Sequence, residues 1–554
     1  MHKIYFVLFA LFLSSAVLAD DKPAQVAVAT AHPIATAAGL EILNAGGNAF
    51  DAAVAVSATL AVVEPYSSGI GGGGFWLLHR ARDGRQVMVD GRERAPLAAH
   101  RDMYLDTAGE VIPAASVSGP LSAGIPGEPA ALVHLAKNYG RLPLHKTLAP
   151  AIRAAKKGFK VTPYYRRMVK FRLKALRESP AAAKIFLKDN EVPPLAHLIR
   201  QPDLARTLEL LAQNGTAGFY AGEVARRLVK GTRDAGGIWS LNDLKQYTIR
   251  ERQPLVGQYK GYRIVSAAPP SSGGVALLEI LNILNGVELA GMTAVQKKHH
   301  LVEAMRRAYR DRAEYLGDPD FVNIPLQRLL SQAYARQLRD SINQSRATPS
   351  ASLKPVVNKE GGFHTSHFSI LDKEGNRVAA TLTINYPFGS CFMPPGTGVL
   401  LNDEMDDFSA KPGVPNVYGL VGAKANAIAP GKRMLSSMSP SFVEGKDRLI
   451  ILGTPGGSRI ITMVLQGMLA FIDGKDVASI VDQARFHHQY LPDEIQYEEG
   501  AITKDELSKM MNMGHSFKRL DHPYGNMHAV VWDKKKNKVS AASDYRGEGF
   551  ARVQ

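Results

Sequence analysis

The stretch His364-Thr365-Ser366-His367-Phe368-Ser369-Ile370-Leu371 joins two kinds of sequence. Before it, residues 341–364 carry Ser, Pro, Lys and Gly with little apolar periodicity, which predicts an exposed linker. From Thr365 to Leu371, the residue pattern predicts a β-strand. A threonine at the start of a strand can simply be a good β-former. A flexible linker followed by a rigid strand also suits a chain that cuts itself before Thr365.

Such a cut would change the chemistry of the Thr365 hydroxyl. A serine or threonine hydroxyl is a poor nucleophile until a base activates it. The new α-amine, whose unperturbed pKa is about 7.7–8.0, can act as that base for Oγ of the same residue. Thr365 is therefore a candidate nucleophile.

A second strand is predicted over Arg377–Asn385, after the turn residues 372–376. Thr381, Thr383 and Asn385 are two residues apart, so they share one face of such a strand. These side chains could line a site beside the candidate nucleophile. The alternative is the solvated face of an antiparallel sheet.

A glycine-rich turn, Gly453–Arg459, lies between the predicted strand Arg448–Gly453 and the predicted buried helix Ser458–Ile472. Gly456 and Gly457 would expose backbone N–H groups at the N-terminus of that helix. Such groups suit an oxyanion hole or another anion site. The alternative is an ordinary turn from strand to helix.

The remaining pattern divides the chain into a helix-rich and a sheet-rich part. Residues 120–350 are mainly helical by pattern, and the chain from Thr365 onward is sheet-rich. Near the N-terminus, Asp51 is predicted to cap a buried helix over Ala52–Val63. The Gly-rich loop 67–74 lacks the Lys-Ser/Thr ending of a P-loop and precedes a strand, which disfavours nucleotide binding.

Composition and charge restrict the class of protein. The chain has 554 residues, of which 45% are hydrophobic and 21% charged, as in a globular protein. Lys and Arg number 67 against 51 Asp and Glu, giving a formal charge of +16. The segment 153–178 alone holds ten basic residues and one acid, so the excess is largely local and does not argue for nucleic acid. We interpret this segment as the solvated face of a helix. The alternative is that it attaches to an anionic membrane surface.

The sole cysteine, Cys391, excludes an intramolecular disulfide framework and a multi-cysteine metal site.

The N-terminal segment Met1–Ala19 is typical of a secretory signal peptide. Lys3 precedes the apolar run Ile4–Leu13, and Val17-Leu18-Ala19 resembles a small-residue cleavage site. The run is too short to span about 30 Å of hydrocarbon, which disfavours a membrane anchor. The sequence therefore predicts a periplasmic or secreted protein without a transmembrane span.

Two histidine pairs, His299-His300 and His487-His488, are interpreted as structural. Neither has the HExxH spacing of a zinc site, and adjacent side chains point to opposite sides of a helix or strand. We therefore predict no metal and no cofactor.

Together these segments resemble the γ-glutamyltranspeptidase family of N-terminal-nucleophile hydrolases. The resemblance covers nearly the whole chain after the signal segment. Two departures are that Ser366 replaces a second Thr of some relatives and that Glu404 replaces a Gln. The stretches that carry the resemblance are the Gly-rich loop 67–74, Asp90–Pro96, Ala268–Gly274, Thr365–Ser369, Leu401–Phe408, Leu435–Pro440, Gly453–Ile460 and Arg485–Gln489.

The resemblance implies an α+β fold, a four-layer αββα sandwich formed jointly by two chains after autocleavage between His364 and Thr365. It implies a large subunit, 20–364, that ends in the processing linker, and a small subunit, 365–554. The two would form one interleaved domain and remain together as a heterodimer.

The resemblance also implies residue roles. Thr365 would be the nucleophile, with Thr383 orienting it and the N–H groups of Gly456 and Gly457 forming the oxyanion hole. Tyr418 would belong to a lid loop over the site. The α-carboxylate of the substrate would be bound by Arg92, Ser436 and Ser437. Its α-ammonium would be bound by Asn385, Glu404 and Asp407.

The implied reaction is cleavage of the γ-glutamyl bond of glutathione and related γ-glutamyl compounds. A γ-glutamyl ester of Thr365 would pass to water or to amino-acid or peptide acceptors. A cephalosporin (glutaryl) acylase of the same family is one alternative. The other is an exported protein that binds γ-glutamyl peptides without cutting them.

Overall fold

A computed structural model describes residues 22–353, 365–411, 414, 416, 419–420 and 422–554. The predicted signal segment Met1–Ala19, the end of the predicted linker (354–364) and Tyr418 lie outside the described residues. The strands are β1 Ala27–Thr30, β2 Gly73–Arg80, β3 Arg85–Gly91, β4 Phe159–Lys160, β5 Leu198–Ile199, β6 Arg250–Arg252, β7 Leu255–Tyr259, β8 Tyr262–Ser266, β9 Ser366–Leu371, β10 Arg377–Thr383, β11 Ser441–Glu444, β12 Arg448–Gly453, β13 Phe486–His487, β14 Ile495–Tyr497, β15 Phe517–Arg519, β16 His528–Asp533, β17 Lys538–Ser543 and β18 Phe550–Val553. The helices are α1 Pro33–Asn44, α2 Ala49–Val63, α3 Glu128–Asn138, α4 Leu144–Lys157, α5 Pro163–Arg177, α6 Pro180–Phe186, α7 Pro202–Asn214, α8 Ala217–Tyr220, α9 Gly222–Asp234, α10 Leu241–Lys245, α11 Gly273–Leu284, α12 Ala294–Tyr315, α13 Leu326–Leu329, α14 Gln332–Asp340, α15 Ile460–Ile472, α16 Val477–Asp482 and α17 Lys504–Asn512.

Two antiparallel sheets lie face to face at the centre of the molecule. One has the strand order β18-β1-β9-β10-β2-β3-β6, and the other has the order β17-β16-β12-β11-β8-β7. Apolar side chains from both sheets fill the layer between them, among them Leu77 and Ala379 from the first and Phe442, Ile451 and Val530 from the second. Burial of these apolar side chains is a main source of cohesion between the sheets.

Helices cover the two outer faces. The helices α1 and α2 pack on the first sheet and α4 packs on α2, while α11 and α15 pack on the second sheet and α12 packs on α11. Every residue of α2 is buried, which agrees with a sequence that is apolar nearly all round. The mixed α and β architecture expected from the sequence is confirmed, and its layers follow the order α, β, β, α.

The start of α2 corrects one expectation. The N-cap is Asn48, whose side chain accepts from the N–H groups of Phe50 and Asp51. Asp51, predicted as the cap, instead lies at the third helical position and accepts from the Asn48 N–H. The two residues form a reciprocal capping box.

The strands β6–β8 were missed by the prediction of a mainly helical segment over 120–350. β7 and β8 form a hairpin through Lys260 and Gly261, which both have positive φ, at 48° and 80°. A Lys-Gly pair is a weak turn signal compared with Asn-Gly. β7 also lies at the edge of its sheet, where alternating exposure dilutes the apolar pattern.

Both sheets mix strands from before and after residue 364. In the first sheet, β9, β10 and β18 alternate with β1 and β2, which come from the N-terminal part. Most of residues 341–353 are exposed, as expected of a linker, while Ile342, Ala347 and Ser350 are buried. The Ser350 N–H donates to Asp493 Oδ2 at 2.6 Å, so the chain is anchored shortly before the candidate cleavage point.

The basic segment 153–178 spans the end of α4, the short strand β4, α5 and the residue directly after it. Nine of its ten cationic side chains are exposed, as a solvated face requires. Arg172 is the exception, because it is only 7% exposed and points inward. Within the described residues, no helix is both long and apolar enough to span a bilayer.

Candidate active site

A polar pocket lies where the central strands β9 and β10 meet the loops that precede β11 and α15. Its walls bring together residues that are hundreds of positions apart in the chain. Nine sequence-predicted site residues line it; of the predicted residues, Gly456 is not among those lining it and Tyr418 falls outside the described residues. The lining residues are Arg92, Thr365, Thr383, Asn385, Glu404, Asp407, Leu420, Ser436, Ser437, Met438, Gly457 and Ile460.

Thr365 is placed by the sheet. It precedes β9 directly, and the register pairs Ser366 with Leu382, so its continuation sets Thr365 opposite Thr383. Side chains opposite each other on antiparallel strands are close neighbours. Thr383 Oγ1 accepts from the Asn385 N–H at 2.7 Å, which leaves the hydroxyl proton of Thr383 to be donated elsewhere. The geometry suits a hydroxyl that orients Thr365.

The residue after Thr365 is anchored from the other side. Ser366 Oγ donates to Glu64 Oε2 at 2.6 Å. Burial raises the pKa of Glu64 to about 8, although the Ser366 hydrogen bond acts in the opposite direction. This contact fixes the start of β9 and with it the position of Thr365.

The polar side chains at the end of β10 are buried, so the alternative of a solvated face of an antiparallel sheet is wrong. Thr381, Thr383 and Asn385 are at most 3% exposed. Thr381 bonds to His367 Nδ1 at 2.9 Å, between the sheets. Asn385 lies beyond the end of β10 with φ 73°, and this left-handed conformation still directs the residue to the pocket wall.

The glycine turn leads from β12 into a short 3-10 turn, Gly457–Arg459, that continues as α15. Gly456 and Gly457 have φ 143° and 56°, values that favour glycine. A Cβ added to Gly456 would lie 2.5 Å from Met463 Cε. Gly457 lines the same pocket as Thr365, so the turn brings backbone to the wall of that pocket.

Charge in the pocket is concentrated on one arginine and its acidic neighbours. Arg92 is fully buried, forms an ion pair with Glu404 and contacts Asp407 Oδ2 at 2.5 Å. Its Nη1 also lies 3.5 Å from Glu93 Oε2. The residues expected to bind the two opposite charges of a zwitterion are therefore paired with each other.

Burial shifts the protonation of this cluster. It raises the pKa of Glu404 to about 8, and it raises that of Asp407, although Arg92 favours the ionised form of both. The pKa of Glu93 lies well above its ordinary value because of burial and the nearby Glu404. Burial would lower the pKa of Arg92, but the surrounding carboxylates outweigh it and hold the guanidinium charged.

The serine pair is held by the segment that precedes α11. The Ser436 carbonyl accepts from the N–H and Oγ of Ser272, at 2.7 and 2.6 Å. Ser271 Oγ donates to the Met438 carbonyl at 2.6 Å. The motif Ala268–Gly274 therefore acts as a brace for Ser436 and Ser437, a role that sequence reasoning left open.

Arg312 is a residue of this region that sequence reasoning missed. It lies on α12 and donates from Nη2 to Ser437 Oγ at 3.3 Å and from Nε to Ser272 Oγ at 2.9 Å. Its sequence neighbourhood contains several other arginines on the same helix, so no local pattern distinguishes it. Only the tertiary contact places it behind the serine pair.

One buried cluster has residue types that could hold a metal ion. His299, Glu303 and His515 converge, with His299 Nδ1 2.8 Å from His515 Nε2. Glu303, however, forms ion pairs with Arg306 and Arg307, at 3.3 and 2.6 Å. Two guanidinium groups beside the carboxylate disfavour an added cation, so a hydrogen-bonded network is the better description.

Comparison with known proteins agrees with this geometry. The family model described as gamma-glutamyltranspeptidase matches residues 35–553. A glutathione hydrolase proenzyme of Pseudomonas sp. (strain A14) is 47% identical over 88% of this chain and 86% of its own length. That of Escherichia coli (strain K12) is 43% identical over 86% and 83%. The crystal structure of cephalosporin acylase from Bacillus halodurans has a TM-score of 0.84 at 28% identity and covers 96% of both chains. A match over almost the whole chain, together with relatives of this identity, shows that the protein belongs to the gamma-glutamyltranspeptidase family.

Proposed function

We propose that this protein is a self-processing γ-glutamyl hydrolase and transferase that acts on glutathione and related γ-glutamyl compounds. One observation carries the proposal: a single pocket holds Thr365, the Gly457 turn and a buried cluster of opposite charges. The relatives named glutathione hydrolase proenzyme support the substrate class.

Self-processing would occur between His364 and Thr365. Thr365 is 6% exposed and directly precedes a central strand, so a new N-terminus there would be held rigidly. The products, 20–364 and 365–554, would remain one heterodimer because each sheet contains strands from both.

The chemistry would follow from Thr365 and its neighbours. Oγ attacks the γ-carbonyl carbon while its proton passes to the α-amine of the same residue. N–H groups of the Gly456-Gly457 turn stabilise the oxyanion of the tetrahedral intermediate. The leaving amine takes the proton from the α-amine and departs, which leaves a γ-glutamyl ester on Thr365. Water, or the amine of an amino acid or peptide, then attacks the ester and frees the threonine.

Substrate recognition would use the paired charges. A γ-glutamyl group carries an α-carboxylate and an α-ammonium on one carbon, so it matches a site in which cationic and anionic groups adjoin. Arg92, Ser436 and Ser437 would bind the carboxylate, since a guanidinium suits a carboxylate geometrically. The ammonium would be bound by Asn385, Glu404 and Asp407.

A glutaryl acylase is the second candidate, favoured by the structural similarity to a cephalosporin acylase. A glutaryl group lacks the α-ammonium and would leave Glu404 and Asp407 without a cationic partner from the substrate. Turnover of γ-glutamyl-p-nitroanilide and of glutaryl-7-aminocephalosporanic acid should therefore be compared. Cleavage of the second compound alone would reverse the assignment.

The test of self-processing is the chain pattern of the purified protein. Two fragments are expected, and N-terminal sequencing of the smaller should begin at Thr365. Thr365→Ala should abolish both the cut and turnover, because the variant lacks the hydroxyl. Thr216→Ala is a matched control, since that threonine is exposed, makes no side-chain cap hydrogen bond and does not line the pocket. A single intact chain that binds γ-glutamyl peptides would instead support a binding protein.

Export is the remaining part of the proposal and depends on Met1–Ala19. The mature large fragment should then begin at about residue 20, in a periplasmic or secreted fraction. Mass spectrometry of the large fragment after cell fractionation tests this. A fragment that retains Met1 would contradict export by cleavage.

A further inference from the structure

Arg312 is a buried cation directly behind the pocket. It is 5% exposed, and its two hydrogen-bonded neighbours are the hydroxyl groups of Ser272 and Ser437. Ser437 lines the pocket, so one side chain separates the Arg312 guanidinium from the space that the donor would fill.

Arg312 has no counter-ion among the described residues. No carboxylate oxygen of that part of the chain lies within 4.0 Å of its guanidinium, in contrast to Arg306 and Arg307 on the same helix, which share Glu303. Asp407 is a carboxylate that favours the charged form of Arg312, but it is already paired with Arg92. Burial without a counter-ion is costly, and here it lowers the pKa of Arg312.

Arg92, in contrast, already has acidic partners. Its Nη atoms pair with Glu404 and Asp407, and its Nε donates to the Met434 carbonyl at 3.2 Å. An incoming carboxylate would therefore meet a guanidinium whose Nη and Nε groups already donate to other oxygens. Arg312 is a second buried cation near the serine pair, and it lacks such an acidic partner among the described residues.

The Ser437 hydroxyl connects this charge to the pocket. Its Oγ accepts a hydrogen bond from the Arg312 guanidinium, so the hydroxyl proton must point in another direction. Because Ser437 lines the pocket, that proton is available to a carboxylate oxygen there. A hydroxyl that accepts from a cation is also polarised and is a stronger donor.

We propose that Arg312 is a positioning and specificity residue that supplies the second positive charge for the donor's α-carboxylate, acting through Ser437. This inference rests on the proposed γ-glutamyl function. A purely structural role would instead have Arg312 hold the Ser272 and Ser437 loops together, and its loss would then affect every donor alike.

Three p-nitroanilide donors separate these two roles. The γ-glutamyl donor carries both charges, the glutaryl donor lacks the α-ammonium, and the 4-aminobutyryl donor lacks the α-carboxylate. Arg312→Met should lower kcat/KM for the first two by roughly tenfold or more, as expected for loss of a charge-assisted hydrogen bond. For the 4-aminobutyryl donor the change should stay within about twofold.

Three control variants accompany the comparison of the donors. Arg312→Lys keeps the charge and should restore much of the preference for donors with an α-carboxylate. Lys297→Met removes an exposed cation from the same helix and should leave kcat/KM unchanged for all three donors. In a Ser437→Ala background the effect of Arg312→Met should shrink, because the path to the carboxylate is gone. Only fully processed protein, checked on a denaturing gel, should be compared.

A second measurement covers variants or donors with slow turnover. Inhibition by L-glutamate should weaken in Arg312→Met, whereas inhibition by 4-aminobutyrate should not. Equal loss for all three donors and both inhibitors would overturn the inference and leave the proposed function in place. A wild-type protein that cleaves no γ-glutamyl donor would overturn the proposed function itself, and the inference with it.

Discussion

At the scale of single residues, the pocket is a cluster of titratable groups whose charges depend on one another. Arg92 lies among Glu93, Glu404 and Asp407, and burial favours the protonated forms of all three acids. A donor that brings an ammonium group would favour the ionised acids. Binding of the donor is therefore coupled to release of a proton.

Glu404 is the residue through which this coupling can be measured. Its pKa is raised to about 8, so it is mostly neutral below that pH and mostly ionised above it. The ionised form attracts the donor's ammonium, so KM for γ-glutamyl-p-nitroanilide should fall as pH rises towards about 8. Glu404→Gln removes the titrating group and should flatten this part of the profile.

The measurement is KM as a function of pH for wild type and Glu404→Gln in buffers of equal ionic strength. The glutaryl donor, which has no ammonium, serves as the control and should show no such dependence. An unchanged slope in the variant would assign the titration to Asp407 or Glu93 instead.

At the scale of elements, the site depends on loops held in conformations that side chains rarely adopt. The loop after β10 has positive φ at Asn385, Phe388 and Cys391. For residues other than glycine this costs of order 1 kcal/mol each. Such a loop persists only where neighbouring groups hold it, and here Arg172 from α5 does so.

Arg172 ties that loop to α5. Its Nε donates to Cys391 Sγ at 3.2 Å, its Nη2 donates to the Gly389 carbonyl at 3.0 Å, and its guanidinium lies 5.0 Å from the centre of the Tyr386 ring. Cys391, which had no role by sequence, is therefore an acceptor for a buried arginine. Burial raises the pKa of its thiol to about 11, so the group stays neutral.

Arg172→Met should lower the free energy of unfolding by about 1–3 kcal/mol, because buried acceptors lose their donor. It should also raise KM for the γ-glutamyl donor, since Asn385 belongs to the same loop. Denaturant unfolding and steady-state kinetics measure the two effects. Lys170→Met, on the exposed side of α5, is the matched control. Equal stability of both variants would contradict stabilisation of the loop by Arg172.

The glycine turn before α15 allows a second test at this scale. Gly457→Ala places a Cβ on a residue with φ 56°, which strains the turn by about 1–2 kcal/mol and displaces its N–H. We expect kcat to fall by roughly tenfold or more with a smaller change in KM, because oxyanion contacts act mainly in the transition state. Gly474→Ala, at another positive-φ glycine outside the pocket, should leave kcat unchanged.

At the scale of the whole molecule, the order of strands determines how a cleaved chain would behave. β1 lies between β18 and β9, so a strand from the N-terminal part is flanked by two from the C-terminal part. In the second sheet, β8 from the N-terminal part pairs with β11 from the C-terminal part. Neither fragment has a complete sheet, and separation would expose the apolar layers on both faces.

The two fragments should therefore elute together from a sizing column in native buffer and separate only in denaturant. Unfolding followed by circular dichroism should be a single transition that coincides with dissociation. Uncleaved Thr365→Ala protein is the control for the unfolding midpoint. Fragments that separate in native buffer would contradict an interleaved domain.

The sequence alone determined the features that depend on residue type over short distances. These are the strand after Thr365, the turn at 372–376, the glycines before α15 and the buried helix α2, because local backbone preference and apolar periodicity specify such elements. The motifs also sufficed to identify nine of the residues that line one pocket. The short strands β6–β8 were not predicted, because their local residue pattern is weak.

Only the tertiary structure decided which distant groups meet. Arg92 pairs with Glu404 and Asp407 across more than 300 positions, Arg172 reaches Cys391 across more than 200, and Arg312 reaches Ser437 across more than 100. Nothing local distinguishes Arg172 and Arg312 from the exposed arginines on the same helices. Their burial, and hence their partners and charges, follows from how the two sheets bring the loops together at one edge.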